Sequence, residues 1–323
     1  MPPPDPSEAA HRYVPGVGAP LIRRSRGGGL NHTYRVVRDE RAYAMRLSGR
    51  SARWATHPHW ECRVLALAAD AGLAPAVHDC DPAAGVLVSS WVEGRVLTPA
   101  DAAADGVARM AALMRRIHAL KPPQPPRAVS PAGWVAYYGA LLEGAAASAS
   151  AAVPASAAVA ETRRLQSAAA ERLRGLAELP AEPPVLCHGD LHPLNMLETD
   201  RGVVLLDWEY SHVTHPYWDL AAWSSANDWG AEPRWALLRA YGGADPPPRD
   251  CLRFDLLAWI YDYVCLAWSA LYALGPVDGG SSDAEAAAWV AARAQRLAER
   301  LDEYPVVAAG ELRHTTLRPA SDH

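Results

Sequence analysis

Strand-like and helix-like text are segregated along this 323-residue chain, and that segregation limits the folds open to it more than any other feature. Between Leu21 and Trp91 five short apolar or alternating runs surround one helical segment. The strands read as Leu21 to the Gly27-Gly-Gly29 turn, Thr33–Val37, Tyr43–Leu47, Ala76–Cys80 and Val86–Trp91. A helix from Pro58 to Ala71 interrupts them and is stopped by Gly72 and Pro75. From Asp101 onward the pattern is helical, with Val107–Leu120, Trp134–Ala147 and Ala157–Leu179 as candidates and Pro154 marking a break before the last. Two short strands, Val185–Cys187 and Val203–Leu206, break into this helical part. Strands gathered at one end and helices at the other predict an α+β chain of two lobes: a small β-sheet lobe with one helix, and a larger, mostly helical one. We place the boundaries at residues 18–93 and 94–323, with residues 1–17, rich in Pro and Ala, expected to be poorly ordered.

The two short strands carry the chemistry. Cys187-His-Gly-Asp-Leu-His-Pro-Leu-Asn-Met-Leu197 is followed by Val203-Val-Leu-Leu-Asp-Trp-Glu209, so His188, Asp190 and Asn195 keep the spacing H-x-D-L-x-x-x-N ahead of Asp207. A carboxylate, a carboxamide five residues on and a second carboxylate at a strand end suit phosphoryl transfer. One acid accepts the attacking hydroxyl's proton, while the amide and the other acid hold Mg²⁺ on ATP phosphates. Asp190 is the candidate catalytic residue, and Asn195 and Asp207 the candidate metal ligands. His188 is expected to hydrogen-bond the loop backbone; His192 either points into the cleft or caps the loop. The same residues admit a metal-dependent hydrolase, with His188, Asp190, His192 and Asp207 around Zn²⁺ or Fe²⁺. That alternative leaves Asn195 and the small lobe without a role.

The N-terminal part supplies matching pieces. Gly27-Gly-Gly-Leu-Asn-His-Thr33 joins the first two strands, and its backbone N–H groups can approach triphosphate oxygens, with Gly28 and Asn31 as candidate nucleotide contacts. Arg46 stands on the third strand where a kinase carries its Lys, and Glu61, early in the following helix, is its natural partner. Lys121 is the only lysine in the chain, so a phosphate clamp must be built from Arg.

At these residues the sequence resembles the aminoglycoside phosphotransferase and choline kinase superfamily, which shares the protein-kinase-like fold. The resemblance runs from Arg26 to Leu274 and is strongest in His188-Gly-Asp-Leu-His-Pro-Leu-Asn195 and Leu206-Asp-Trp-Glu-Tyr210. It implies that Asp190 is the acid/base, that Asn195 and Asp207 bind the metal, and that Arg46 with Glu61 orients the phosphates of ATP. It also implies a hinge at Ser89–Glu93 in which Ser90, Trp91 and Val92 bear the adenine. Asp219 is implied to brace the catalytic loop. Asp207-Trp-Glu-Tyr210 and Ala267-Trp-Ser269 resemble the choline, ethanolamine and thiamine kinase branch most. His192, Glu209, Tyr210, Asp228 and Trp268 are accordingly the candidate acceptor contacts.

The expected activity is transfer of the γ-phosphate of ATP, with Mg²⁺, to a hydroxyl of an amine-bearing, cationic small molecule. The C-terminal Trp and Tyr residues, among them Trp218, Trp223, Trp229, Trp259, Tyr261, Tyr263, Trp268 and Tyr272, supply faces that attract amines or else fill a core. An antibiotic-inactivating phosphotransferase is the alternative. A protein kinase is disfavoured because D-F-G and A-P-E are absent. A catalytically silent nucleotide-binding module is disfavoured because every expected polar residue is present.

A net charge of −5 argues against a nucleic-acid surface. Residues 254–274 are apolar enough to suggest a membrane span, but Asp262 at the middle makes a buried core helix the expectation. Five scattered cysteines without a C-x-x-C pair and the lack of a signal-peptide pattern point to a reduced, cytoplasmic protein, monomer or homodimer.

Overall fold

The structure, a computed structural model, describes residues 4–25, 31–48, 56–102, 104–148, 157–274 and 283–303. Its first element corrects the expectation for residues 1–17. Pro6–Tyr13 is a helix, α1, whose Asp5 side chain accepts from the N–H of Ser7 (2.8 Å) and Glu8 (3.1 Å), with Pro6 in the first turn. Asp5 and Pro6 are a helix start rather than a disorder signal. Ala9, Ala10 and Val14 are buried against the sheet residues Val36, Tyr43, Met45, Leu47, Val86 and Val88. Arg38 closes the far end by donating to the Val14 carbonyl at 2.6 Å.

The small lobe is a five-stranded antiparallel sheet of β1 (Leu21–Arg24), β2 (Asn31–Arg38), β3 (Arg41–Ser48), β4 (Val77–Asp81) and β5 (Val86–Ser90), in the order β1-β2-β3-β5-β4. On β3 the two-residue period buries Tyr43, Met45 and Leu47 on one face. Arg46 therefore points to the other face, between Thr33 of β2 and Leu87 of β5. The single helix of this lobe, α2 (Pro58–Asp70), buries Trp60, Glu61, Val64, Leu65 and Ala68, a helical stripe that includes one acid. Trp60 Nε1 donates to Ser211 Oγ at 3.2 Å, so α2 is tied to the helical lobe as well as to the sheet.

Cys62 of α2 and Cys80 of β4 form a disulfide, correcting the expectation of wholly reduced cysteines. The turn at Gly72–Pro75 brings β4 back beside α2, a pairing that no C-x-x-C spacing announces. It removes the cysteine pattern as an argument for a reducing compartment.

In the larger lobe β6 (Arg95–Val96), β8 (Met196–Thr199) and β9 (Gly202–Leu205) form one small sheet, and β7 (Val185–Cys187) pairs with β10 (His212–Thr214). The helices are α3 (Ala104–His118), α4 (Pro131–Ser148), α5 (Ala157–Arg164), α6 (Gln166–Ala177), α7 (Tyr217–Ala226), α8 (Ala231–Gly242), α9 (Pro248–Leu274) and α10 (Asp283–Glu303). The expected helix Ala157–Leu179 is divided at Leu165 into α5 and α6. α9 packs against α4, α5, α6, α7 and α10. Its segment Pro248–Tyr272 is long and apolar enough to cross a membrane, yet 83% of that window is buried inside the fold. Asp262, fully buried, is met by Arg300 of α10 at 3.0 Å. The helix is the centre of this lobe, as its mid-helix acid predicts.

Candidate active site

The loop between β7 and β8 is held by backbone bonds to a buried acid. Asp219, in the first turn of α7, accepts from the N–H of His188 (2.9 Å) and of Gly189 (2.8 Å). Burial works to raise its pKa, but the bond with His118 Nε2 (3.2 Å), the fields of His118 and His188 and the Gly189 N–H together bring it below the usual carboxylate range. Gly189 has φ +85°, and a Cβ there would lie 2.4 Å from the Tyr210 carbonyl oxygen, so only glycine fits. His188 Nδ1 accepts from the Asp190 N–H (3.3 Å), which leaves Nε2 to donate to the Leu206 carbonyl (3.0 Å). Burial lowers its pKa and keeps it neutral. With both nitrogens committed to the backbone His188 cannot ligate a metal, and the hydrolase alternative loses its first ligand.

Asp190 and Asn195 face each other. Asn195 Nδ2 donates to Asp190 Oδ2 and to its carbonyl, both at 3.1 Å, which fixes the orientation of the amide. The Leu206 N–H donates to the Asn195 carbonyl at 2.8 Å, setting the end of β9 beside the loop. Asp207 follows with φ 59° and ψ 68°, a left-handed conformation costing a non-glycine residue roughly 1–2 kcal/mol. Arg46 offsets that strain by donating to Asp207 Oδ1 at 2.7 Å.

Arg46 is the hub. Its Nη2 donates to Glu61 Oε2 at 2.6 Å, and Nη1 stands 3.8 Å from Glu209 Oε2. Asn31 Nδ2 in turn donates to Glu209 at 2.9 Å. Burial opposes the charge of Arg46, but the three acids keep it cationic. Burial raises the pKa of Glu61, Asp207 and Glu209 despite that one guanidinium. An excess of carboxylates over the one Arg, with the hard oxygen donors Asp207 and Asn195 on adjoining segments, is chemistry that fits a divalent cation such as Mg²⁺.

Glu209 stands with Asn31 and Arg46, while Tyr210, one residue on in the short 3₁₀ turn Trp208–Tyr210, is turned about a third of a revolution away from it. Tyr210 lies on the acceptor side. Gly28 lies outside the described residues. At the hinge, Ser90 and Trp91 commit their N–H groups to the Ala76 (2.8 Å) and Ala42 (3.1 Å) carbonyls. The Trp91 ring lies under the Arg35 guanidinium, 5.5 Å away, and Val92 continues the link to the helical lobe.

On the far side of Asp190 is a cavity of about 200 Å³. Trp134, Tyr138, Tyr210, Trp218, Tyr261 and Trp268 wall it, and Asp190, His192, Cys265 and Arg293 also line it. Trp268 Nε1 donates to the Tyr210 hydroxyl at 3.0 Å. Trp134 stacks on Tyr138 with centroids 5.8 Å apart and donates from Nε1 to His212 Nε2 at 2.9 Å. His192 points into the cleft, 3.5 Å from Asp190 Oδ2. Asp228 does not line the cavity: α7 ends at Ala226, and the turn carries Asp228 outward to an exposed pair with Arg300 at 3.0 Å. Of the eight C-terminal aromatics named above, Trp218, Tyr261 and Trp268 line the cavity, while Trp223 and Trp259 are core. Trp134, Tyr138 and Arg293 were missed. The i, i+4 aromatic pair on α4 was the one available signal, and it reads equally well as core.

A strand lobe that delivers an Arg–Glu pair to an acid–amide loop on a helical lobe is the arrangement of a protein-kinase-like phosphotransferase. The family model described as "Phosphotransferase enzyme family" matches residues 22–253, and the chain belongs to that family. Family membership makes it a phosphotransferase acting on small molecules and carries the expectation of ATP and a divalent metal. No curated protein matches the chain. Among solved structures it resembles a choline/ethanolamine kinase family protein from Mesorhizobium loti, with 24% identity, TM-score 0.64 and 92% of each chain covered. The choline kinase LicA from Streptococcus pneumoniae shares 21% identity over 88% of this chain and 94% of its own, with TM-score 0.67. A spectinomycin phosphotransferase shares 12% identity over 92% and 96%, with TM-score 0.59. At these identities the likeness is one of fold.

Proposed function

We propose that this chain is a small-molecule kinase that moves the γ-phosphate of ATP to a hydroxyl of an amine-bearing acceptor, of the choline, ethanolamine or thiamine kind. The observation that carries the reading is the aromatic cavity opening beside Asp190. Six Trp and Tyr side chains there offer faces that attract ammonium groups. Its volume lies below the roughly 300–1,000 Å³ of sites for drug-sized ligands, which favours a small metabolite over an aminoglycoside or macrolide.

Asp190 orients the acceptor hydroxyl and takes its proton, held in place by Asn195 and by the Asp219 brace under its loop. Arg46, steadied by Glu61, anchors the phosphates, and Ser90–Val92 bear the adenine. Asn195 and Asp207 would hold Mg²⁺, which when bound neutralises charge on the transferring phosphoryl group.

The test is ADP release by the purified chain with Mg·ATP across choline, ethanolamine, thiamine, amino sugars, aminoglycosides and macrolides. Turnover is expected with a small amino alcohol. Asp190→Asn should lower it by at least roughly 10²-fold, in the range of general-base contributions, with ATP binding retained. A variant turning over near the parent rate would remove Asp190 from this role.

A further inference from the structure

We propose that the Cys62–Cys80 disulfide is a redox switch on nucleotide affinity, stapling the strand sheet to α2 when oxidised and releasing it when reduced. The inference rests on the kinase reading of the Arg46 clamp.

Packing assigns α2 to the helical lobe rather than to the sheet beside it. Trp60, Val64, Leu65 and Ala68 belong to the large core that also holds Met114 and Trp208. The sheet has a separate core on the face away from Arg46, where Val36, Met45 and Val88 meet α1. Three consecutive residues, spaced about 100° apart around the helix, then tie α2 in three directions. Glu61 accepts from Arg46 of β3 at 2.6 Å, Cys62 bonds Cys80 of β4, and Arg63 donates to the Gln124 carbonyl of the helical lobe at 2.6 Å.

The ion pair and the disulfide are thus two side-chain ties holding the sheet to a helix that packs elsewhere. With both made, Arg46 keeps its distance from Asp207 and from the loop of Asp190 on the helical lobe. With the sulfur bond open, the ion pair is left with apolar support from Val77 and Leu87, both only half-buried. The sheet is then free to rock about the link that follows Ser90, and a smaller fraction of chains holds the clamp ready for phosphates.

The chemistry is thiol–disulfide exchange with a dithiol. Cys62 and Cys80 are half-buried and open to a small reductant. One thiolate of the dithiol attacks a sulfur of the pair to form a mixed disulfide, and its second thiol resolves that bond. Two electrons and two protons pass from the dithiol to the protein, leaving two cysteine thiols and the dithiol as its own disulfide. The two Cα atoms lie 5.9 Å apart, inside the usual span, so the bond re-forms whenever the sheet returns to this position.

Binding of Mg·ATP to the full chain is measured by calorimetry before dithiothreitol, after it, and again after reoxidation. A thiol count on the denatured chain should rise on reduction from three, Cys187, Cys251 and Cys265, to five. The Kd is expected to rise by roughly 3- to 10-fold at unchanged stoichiometry, as for a competent fraction cut to between a third and a tenth, and to return on reoxidation. Cys62→Ser and Cys80→Ser should each bind like the reduced chain and ignore dithiothreitol. The parent comparison needs no substitution, so a misfolded variant cannot mask the result. Five thiols before reduction, a lower stoichiometry at constant Kd, or a response that persists in Cys62→Ser overturns the inference. Equal Kd in the two states overturns it too and leaves the kinase reading standing. Absence of Mg·ATP binding in either state removes both.

Discussion

The clamp around Arg46 and the cavity beyond Asp190 adjoin, yet they are built from different interactions. In the clamp, Arg46 draws Glu61 from α2 and Asp207 and Glu209 from the turn after β9 into one buried ionic group. In the cavity, aromatic rings from α4, α7 and α9 are joined by a few neutral bonds, such as Trp268 to Tyr210 and Trp134 to His212. Strong charge pairs link the two lobes through the clamp, and their loss leaves charge in a buried place. The cavity is shaped by packing, so single changes there alter what it accepts more than whether the protein folds.

Removing the cation at the hub gives the largest expected effect. Arg46→Met strands Glu61 and its neighbours without a counter-charge, and breaking a buried pair from one side costs about 3–5 kcal/mol. Urea unfolding should show this, together with a large rise in KM for ATP. Arg164, whose pairs with Glu161 and Asp302 are exposed, is the control: Arg164→Ala should cost at most about 1 kcal/mol. Equal losses in the two variants would erase the contrast between clamp and surface.

A milder change sharpens the other half of the comparison. Trp268→Phe keeps a ring in the cavity wall but removes the donor to Tyr210. A net hydrogen bond is worth about 0.5–1.5 kcal/mol, so acceptor KM should rise by up to about tenfold. Steady-state kinetics with each substrate varied in turn should place the change on the acceptor and not on ATP. A change confined to the KM for ATP would contradict the division drawn here.

The clamp was legible in the sequence and the cavity mostly was not, for a physical reason. Arg46 faces the cleft because a two-residue period fixes its side of β3, and Glu61 meets it because it is the one acid in α2's buried stripe. Asp190, Asn195 and Asp207 lie within one short stretch whose spacing is set by a loop between two strands. The cavity instead collects Trp134, Trp218, Trp268 and Arg293 from four helices, and no local pattern distinguishes a ring facing a void from a ring facing a core. The place of Asp228 outside the cavity was hidden for the same reason, since where α7 stops decides whether it turns in or out. β6, two residues pairing with Leu197 and Glu198 about a hundred positions away, leaves no local trace either.

The most specific effect is one of pH, and it falls on the cavity side. His212 is fully buried, and its two nitrogens fix a neutral tautomer: Nδ1–H donates to the Tyr210 carbonyl at 2.8 Å, while Nε2 accepts from Trp134. Burial pushes its pKa down to about 4, and a proton on Nε2 would eject the Trp134 bond. The unfolded chain takes up that proton near the ordinary value of 6.5, so between about 6.5 and 4 unfolding binds protons that the fold refuses. Stability is therefore intact above 6.5 and declines as pH falls, by up to about 1.4 kcal/mol per pH unit from this group. His215, pushed down to about 3 by burial, adds a parallel slope. In His212→Gln the decline measured by urea unfolding between pH 6.5 and 4 should flatten by about one proton's share. An unchanged slope would mean that Trp134, and with it this wall of the cavity, does not hang on the neutral imidazole.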